Sequence, residues 1–310
     1  MLNYMVHNII KINLRTKLIL AQKLNIVHCK PKMADFNVRW AFNIKAWIPS
    51  YDEMMAATSY IQVDEKERLN RFVYQDDAKS SLVGRLMMRK YIHLSTGIPY
   101  DEIRFARDDH GKPYLVGTGD THVSFNVSHQ GDYSVLAGNM NRNIGIDVMK
   151  IEPPANKNIP EFFRLMTRQF SAHEWKTIKD NLTEQEQLKC FYRLWCLKEA
   201  YVKNIGVGLS IALNKITFVI NTFDMAAGNI ITDTQLYVND VLKREFKMEE
   251  TLLDDKHAVA VTIQVPRDST IEPASYTFLN FEELVKEAKP LYFPDSAFTN
   301  NFMKKEMKHF

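Results

Sequence analysis

The sequence predicts an α+β protein made of two similar α/β halves that lie side by side. Hydrophobic residues make up 45% and charged residues 25% of the 310 residues, which is typical of a packed globular protein. Segments with the alternating pattern of strands and segments with helical spacing follow one another along the chain. Strands, helix and further strands occur both before and after residue 120, so two α+β units are the simplest architecture.

The first half, residues 35–120, opens with a strand and continues with a long helical region. Apolar residues alternate with other residues over 38–44, as in a half-buried strand. Helical spacing follows Pro49 and extends through residues 64–97, where Gly97 ends it. Turn residues around Gly111 then predict a hairpin.

The second half, residues 121–282, contains strands, a Pro-rich break at 152–160 and a group of helices. Ser171 with Glu174, and Thr183 with Glu186, form capping boxes that predict helix starts. The tail, residues 283–310, has few periodic cues, and we expect it to be loosely held. The predicted strands are 123–128, 133–137, 144–148, 216–220, 235–238, 257–265 and 275–279, and the predicted helices are 160–170, one from Ser171 and one from Thr183 to Gly206.

Residues 1–34 form an extension with a composition of its own. They hold six Lys or Arg residues and no acid, as in a mitochondrial transit peptide. Met33 stands just before the patterned body, so an alternative start or a mispredicted exon explains the extension equally well. We therefore exclude it from the prediction of the fold.

Composition excludes several classes of protein. Outside the extension, 34 basic and 37 acidic residues leave a mildly acidic body, which argues against a nucleic-acid-binding surface. No stretch approaches the roughly 18 uncharged apolar residues of a membrane helix. Cys29, Cys190 and Cys196 form no CxxC pair, so they predict neither a disulfide framework nor a metal quartet, and we expect a reducing compartment.

An acidic residue stands within an apolar helix face. Glu199 falls on the same arc as the buried stripe of the helix that follows Thr183. A buried carboxylate is costly unless it is paired or binds a metal. Either an i,i+4 ion pair with Lys203 or a functional role accounts for it.

Two strands end or centre on further polar residues. Asp147 lies in the middle of a predicted strand, and Gly145, which has no side chain, stands two residues before it on the same face. This arrangement indicates either a ligand that approaches the face or an edge open to solvent. His129 ends a strand just before the Gly131 turn, where it could bind an anion, orient a carboxylate or satisfy a carbonyl group. In the first half, basic residues flank the hairpin tip at Gly111, where a backbone can approach a phosphate.

Three segments resemble the signature motifs of the Sfp-type 4′-phosphopantetheinyl transferases. They are FNVSHQGDYSVLA at 125–137, IGIDVMK at 144–150 and WCLKEAYVKNIGVGL at 195–209. The third follows the highly specific pattern WxxKEAxxKxxG. Segments such as KERLNRFVYQDDAKSSLVGRLMMRKY and GKPYL resemble the animal members of the family. The similarity covers residues 38–265, weakens up to residue 280 and is lost before Met33 and in about the last two dozen residues.

This resemblance implies a pseudo-dimeric phosphopantetheinyl transferase fold and a Mg²⁺-dependent transfer reaction. Coenzyme A would donate its 4′-phosphopantetheine arm to a serine hydroxyl of an apo carrier protein, with release of adenosine 3′,5′-bisphosphate, as in a holo-[acyl-carrier-protein] synthase. The acceptors that it implies are acyl carrier protein, including that of mitochondria, and the carrier domains of fatty-acid synthase and aminoadipate-type reductases. We expect a cytoplasmic monomer that binds neither nucleic acid nor membrane, with a mitochondrial location through residues 1–34 as the alternative.

The resemblance also assigns roles by position. Asp147 and Glu199 match the metal-binding acids, and Glu199 is the candidate to accept the serine proton, directly or through water. Lys203 would pair with the transferred phosphate. Many bacterial relatives place a third acid where this chain has Met149, so a water held by Gln130 would complete the metal site there.

Coenzyme A would lie across both halves. His129 would contact a phosphate and, with Glu199 and Lys203, belong to the catalytic set. The residues that match coenzyme-binding positions are Arg68, Arg107, Asp108, Asp109, His110, Gly111, Lys112, Asn126, Val127, Ser128, His129, Asp147 and Lys203.

Two other functions are compatible with parts of the pattern. A coenzyme-A-dependent acyltransferase uses an HxxxD pair, but the fourth residue after His129 is Tyr133, so the spacing fails. A non-catalytic module that only docks carrier proteins would not need Asp147 or Glu199. Transfer by variants of these two acids distinguishes that module from an enzyme.

Overall fold

The computed structural model describes residues 36–117, 122–155, 157–208, 211–267 and 269–308, and the predictions for residues 1–34 lie outside these ranges. Helices and strands are mixed throughout, so the predicted mixture of α and β structure is confirmed. None of the described helices has both the length and the apolar character that a membrane crossing requires.

The described elements include the predicted strands of both halves, but two strands of the second half, Val241–Leu242 and Phe246–Asp254, were not predicted. The helices are α1 (Tyr51–Ser59), α2 (Val63–Asn70), α3 (Gln75–Thr96), α4 (Ile159–Leu165), α5 (Ala172–Lys179), α6 (Glu184–Ile205), α7 (Phe281–Val285) and α8 (Ser296–Met303). The strands are β1 (Asn37–Asn43), β2 (Phe105–Arg107), β3 (Pro113–Leu115), β4 (Ser124–Gln130), β5 (Tyr133–Asn139), β6 (Ile144–Lys150), β7 (Ile216–Val219), β8 (Gln235–Val238), β9 (Val241–Leu242), β10 (Phe246–Asp254), β11 (His257–Gln264) and β12 (Tyr276–Phe278).

Two sheets form the centre of the fold. The first has the order β12-β1-β5-β4 and the second the order β10-β11-β6, with parallel pairing only between β12 and β1 among these strands. A hairpin of β2 and β3 and a small sheet of β7, β8 and β9 lie outside them. Since β1 pairs with β5, the boundary proposed at residue 120 runs through one sheet, and the division into two halves stays a prediction.

A seam of side chains joins the edge strands of the two sheets. Every second residue of β4 reaches across to β6. Asn126 Oδ1 accepts a hydrogen bond from the Ile146 amide at 2.9 Å, and Ser124 Oγ accepts one from the Ile144 amide at 3.2 Å. Gln130 Oε1 also accepts the backbone amide of Lys150. Polar side chains thus satisfy backbone groups that a neighbouring strand would otherwise bind.

The region predicted as one helix over 64–97 is two helices. α2 ends at its C-cap Arg71, and Tyr74, with φ −92° and ψ 143°, is the extended N-cap of α3. Aromatic and β-branched residues, which lose side-chain freedom in a helix, occupy the interruption between them. Helical periodicity continues on both sides, which hides the break in the sequence pattern.

The tail is packed rather than loosely held. Phe298 and Phe302 lie four residues apart on one face of α8, and both are buried in the core beside α1 and α3. Leu284 of α7 joins the same core. α8 has only eight residues, which is too short for a clear periodic signal in the sequence.

Candidate active site

Three polar side chains from three elements meet where β4, β6 and α6 come together. Lys203 Nζ on α6 donates to Asp147 Oδ1 of β6 at 2.6 Å and to Ser128 Oγ of β4 at 2.8 Å. Ser128 Oγ donates to Asp147 Oδ1 at 2.7 Å. Asp147 and Ser128 are buried, so these contacts lie in a poorly solvated region where charge–charge interactions are strong.

A glycine allows α6 to approach β6 this closely. A Cβ at Gly145 would lie 2.1 Å from the Ala200 carbonyl oxygen and 2.4 Å from the Asn204 nitrogen. The backbone of α6 therefore occupies the space beside Gly145, where a ligand was one of the two expectations from the sequence. Cys196 Sγ, one turn earlier, contacts the Asp147 carbonyl oxygen at 3.0 Å. This packing brings the residues that follow Cys196 on α6 beside Asp147.

Glu199 faces the same space as Asp147. The side chain is half-buried, and burial followed by the negative charge of Asp147 raises the pKa of its carboxyl group, which Lys203 partly counteracts. Among the described residues, Lys203 forms its ion pair with Asp147 and not with Glu199. The i,i+4 pair is therefore absent from the described structure, and the charges of Asp147 and Lys203 act on Glu199 in opposite directions.

The two carboxylates fit a Mg²⁺ ion. Asp147 Oδ2 is buried and has no hydrogen-bond partner among the described residues, although Oδ1 has two. Mg²⁺ is usually held by one or two carboxylates together with waters and substrate phosphates. The described ranges contain no group of three or more His, Cys, Asp or Glu side chains placed to bind a metal, so substrate oxygens would have to complete the coordination.

A cleft lined by cations opens beside this cluster. Its volume is about 390 Å³, and its lining includes residues of α2, α3, β2, β4 and the turn between α2 and α3. The lining residues are Arg68, Arg71, Phe72, Ser81, Arg85, Arg107 and His129. Four arginines in one cleft of a mildly acidic body make a local anion site.

The charges in the cleft repel one another. Burial, with the positive charges of Arg107 and Arg68, lowers the pKa of Arg85 to about 10, and only the buried Glu65, 3.7 Å from it, is an ion-pair partner of Arg85 in the described structure. Arg85 also donates to the carbonyl oxygen and hydroxyl of Ser81. An anion in the cleft would relieve this repulsion.

His129 links the cleft to the acidic cluster. His129 is exposed at the cleft, yet desolvation by nearby protein atoms and the positive charges of Lys203 and Arg85 lower the pKa of its ring. Its neighbour Ser128 faces Asp147, because successive residues of a strand point to opposite sides. A ligand with two anionic groups can therefore span both regions.

The hairpin loop 107–112 reaches the end of α6. Lys112 Nζ donates to the Lys203 carbonyl oxygen at 3.0 Å, and a Cβ at Gly208 would lie 3.7 Å from His110 Nδ1. Asp108 Oδ1 accepts the amides of His110 and Lys112, so this carboxylate holds the loop itself. Asp109 is exposed, and Gly111 has φ +81°, which few other residues adopt.

The remaining predicted residues have mainly structural contacts. Asn126 and Gln130 lie in the seam, and the Gln130 oxygen is engaged by a backbone amide. Val127 packs against Gly84 of α3. Arg71 and Arg85 were not predicted as cleft residues from the sequence. The packing of α3 against β4 brings Arg85 to the cleft, and no local pattern in the sequence indicates this.

The motif lysine next to Glu199 has a separate role. Lys198 Nζ forms a fully buried ion pair with Glu174 at 2.8 Å and donates to the Leu213 and Ile216 carbonyl oxygens. Burial lowers the pKa of Lys198, and Glu174 partly opposes this. Lys198 thus holds the segment after α6 in place.

Comparison with known proteins agrees with this geometry. A family model described as "4′-phosphopantetheinyl transferase, N-terminal" matches residues 45–141, and one described as "4′-phosphopantetheinyl transferase superfamily" matches 143–262. The chain is similar to the L-aminoadipate-semialdehyde dehydrogenase-phosphopantetheinyl transferases of Xenopus laevis (39% identity, 87% of this chain and 93% of that protein) and Homo sapiens (38%, 86% and 90%). It is also similar to the 4′-phosphopantetheinyl transferase Sfp of Bacillus subtilis strain 168 (32%, 53% and 69%). The resemblance found in the motifs is confirmed, and the chain belongs to the 4′-phosphopantetheinyl transferase family.

Proposed function

We propose that the protein transfers the 4′-phosphopantetheine arm of coenzyme A to a serine hydroxyl of apo carrier proteins. The serine oxygen forms a new bond to the phosphorus that carries the pantetheine arm. The bond from that phosphorus to the bridging oxygen breaks, and adenosine 3′,5′-bisphosphate leaves. The observation that supports this most strongly is the cluster of Lys203, Ser128 and Asp147, with one free Asp147 oxygen, next to a cationic cleft.

The cleft would bind the 3′-phosphate of the coenzyme. Its arginines repel one another in the free protein, so a phosphate dianion gains from several of them at once. Arg107 and His129 line the cleft and Lys112 contacts α6, so loop 107–112 and His129 would contact the diphosphate. Lys203 would neutralise charge on the transferred phosphate.

Asp147 and Glu199 would hold Mg²⁺ with oxygens of the diphosphate. When bound, the ion would neutralise charge that develops on the bridging and non-bridging phosphate oxygens. Glu199, whose carboxyl pKa burial and Asp147 raise, accepts the serine proton, directly or through one water. Lys203 keeps Asp147 oriented while this proton moves.

The acceptor class rests on the names of the relatives. The animal relatives are named for L-aminoadipate-semialdehyde dehydrogenase, so we propose a carrier domain of an aminoadipate-type reductase as one substrate, beside acyl carrier protein and fatty-acid synthase. The finer assignments also remain proposals: holo-[acyl-carrier-protein] synthase activity, a pseudo-dimeric arrangement of residues 35–120 and 121–282, a monomeric state and a cytoplasmic location, with mitochondria as the alternative.

Intact-mass measurement tests the function directly. The protein is incubated with coenzyme A, Mg²⁺ and a panel of apo carriers. We expect a carrier to gain one phosphopantetheine arm while adenosine 3′,5′-bisphosphate appears in equal amount. With acyl-coenzyme A, an acyltransferase would instead add only the acyl group and release free coenzyme A. No mass gain on any carrier would refute the proposal.

A further inference from the structure

The chain after α8 folds back along the turn between α2 and α3. Glu306 forms a parallel bridge with Tyr74, and its carbonyl oxygen accepts the Gln75 amide at 2.8 Å. This turn carries Arg71 and Phe72, which form one wall of the cationic cleft. The segment after α8 therefore contacts the turn that carries this wall of the cleft.

Lys305 binds the backbone on both sides of Arg71. Its Nζ donates to the Asn70 carbonyl oxygen at 3.1 Å and to the Phe72 carbonyl oxygen at 2.5 Å. The last carbonyl groups of a helix have no partner within the helix, and an ammonium group there satisfies them. A single side chain thus fixes the backbone of the α2 C-cap, from which the Arg71 side chain extends.

Contacts on either side of Lys305 keep this segment in register. Before it, Asp295 at the start of α8 pairs with Lys66 of α2 at 2.6 Å, and Phe302 is fully buried. After it, Lys308 pairs with Asp77 of α3 at 2.6 Å. The segment is held at both α2 and α3, so Lys305 is presented to the turn from a fixed backbone.

No described residue neutralises the charge of Arg71. Its side chain is exposed, and among the described residues no acid forms an ion pair with it. The side chain of an exposed arginine without a partner is not held in one orientation by contacts of its own. The position of its backbone therefore determines which space its guanidinium group can reach. A displaced turn would therefore weaken an anion contact without changing the acidic cluster.

We propose that Lys305 is a positioning residue that holds Arg71 in place to bind an anionic group of the coenzyme. This inference rests on the proposed function, since it takes coenzyme A as the ligand of the cleft. Lys305 acts through the backbone of the turn and does not touch the reacting atoms.

Binding and kinetics of the Lys305→Met variant test this inference. Calorimetry with adenosine 3′,5′-bisphosphate, without metal, measures the cleft alone, and steady-state kinetics measure KM for coenzyme A and kcat. We expect about a five- to tenfold loss of affinity and a similar rise in KM, with kcat within about twofold of the parent, because only ground-state binding changes. Lys304→Met, at an exposed neighbouring lysine, is the matched control and should change neither. Lys305→Arg keeps the charge and donors and should restore binding.

A double-mutant cycle separates positioning from a general effect on folding. If Lys305 acts through Arg71, Lys305→Met should cause no further loss of affinity in the Arg71→Gln background. An equal loss in that background, or no loss in the parent, would overturn the inference. Should Lys305→Met fail to fold, Lys305→Gln is measured in the same cycle. Because the calorimetry needs no turnover, failure of the parent to transfer the arm would refute only the proposed function.

Discussion

The two oxygens of the Asp147 carboxylate have different environments. Oδ1 accepts hydrogen bonds from Lys203 and Ser128, whereas the buried Oδ2 accepts none from the part of the chain that the structure describes. A buried oxygen without a hydrogen bond is costly, so it marks a position that a ligand is expected to fill. Glu199 lies close enough to be affected by the charge of Asp147. At the scale of single residues, this difference between the two oxygens is the observation that supports the proposed Mg²⁺ site.

Removal of the Glu199 charge should separate activity from stability. We expect Glu199→Gln to lower the transfer rate by at least about 100-fold, since a proton acceptor and an oxygen ligand are lost together. The melting temperature should not fall, because Gln replaces a carboxylate whose charged form burial and Asp147 disfavour. Glu184→Gln, at an exposed position in the first turn of α6, is the control and should keep full activity. A Glu199→Gln protein with parental turnover would contradict the mechanism.

His129 should take up a proton when an anion binds. Burial and the positive charges of Lys203 and Arg85 lower its pKa below 6.5, so the ring is mostly neutral in the free protein at pH 7. A phosphate nearby favours the charged form and raises that pKa, so affinity should increase as the pH falls from 7.5 to 6. Calorimetry of adenosine 3′,5′-bisphosphate in buffers of different ionisation enthalpy measures the uptake. His129→Asn should abolish the part of the uptake that this ring contributes, and an unchanged uptake would contradict the assignment.

At the scale of elements, the contact between α6 and β6 decides the geometry of the site. Each of these two elements contains a signature motif, and Gly145 allows the backbone of β6 to contact the backbone of α6. The local i,i+4 rule predicted Lys203 beside Glu199, but Asp147 on the neighbouring strand lies 2.6 Å from the ammonium. A short contact with a buried carboxylate outweighs a surface helix pair, which contributes only about 0.2–0.5 kcal/mol.

Substitution of Gly145 should therefore affect folding and catalysis together. The Gly145→Ala Cβ would meet backbone atoms of α6, which cannot rotate away, and we expect a loss of about 2 kcal/mol or more in the free energy of unfolding. Gly84→Ala is the matched comparison at another helix–strand contact. Its Cβ would lie 3.0 Å from a Val127 methyl group, and the alanine would gain up to about 1 kcal/mol of helix propensity. Denaturant unfolding measures both, and equal stability losses would contradict this explanation.

Most elements of the second half were predictable, although β10 was missed, and of the cleft only Arg68, Arg107 and His129 were foreseen, through the family resemblance. α6 and its capping box follow from periodicity and from Thr183 and Glu186, and the structure confirms both. The alternation in β4 and β6 likewise predicted two strands. Arg71 and Arg85 join the cleft through a helix break and through packing between distant elements, which leave no periodic signal. The seam between β4 and β6 depends on the same long-range arrangement.

At the scale of the whole molecule, the charge of the cleft contrasts with that of the body. The body outside residues 1–34 has more acidic than basic residues, but four arginines line one cleft. Screening at physiological salt acts over about 8 Å, so the arginines dominate the potential inside the cleft, while distant acids contribute little. A locally basic site in an acidic protein can bind a small anion and avoid general attraction to nucleic acid.

Ligand binding should stabilise the whole fold. Adenosine 3′,5′-bisphosphate should raise the melting temperature in proportion to the logarithm of its concentration above Kd, and less so at high salt. Arg68→Gln should reduce the shift, whereas Arg164→Gln, an equal charge change on exposed α4, should preserve it. Scanning fluorimetry compares the three proteins, and equal shifts in all of them would contradict a specific anion site in the cleft.

The alternation along β4 also restricts which changes in length the gene can tolerate. Even-numbered residues of the strand point to β6 and odd-numbered ones to α3 or the cleft. Insertion or deletion of one codon within 124–130 would exchange the two sets, which would bury a histidine between the sheets and point the seam's hydroxyl and amide groups at apolar side chains. Natural variants should therefore differ in length at hairpin tips and keep this heptapeptide at constant length.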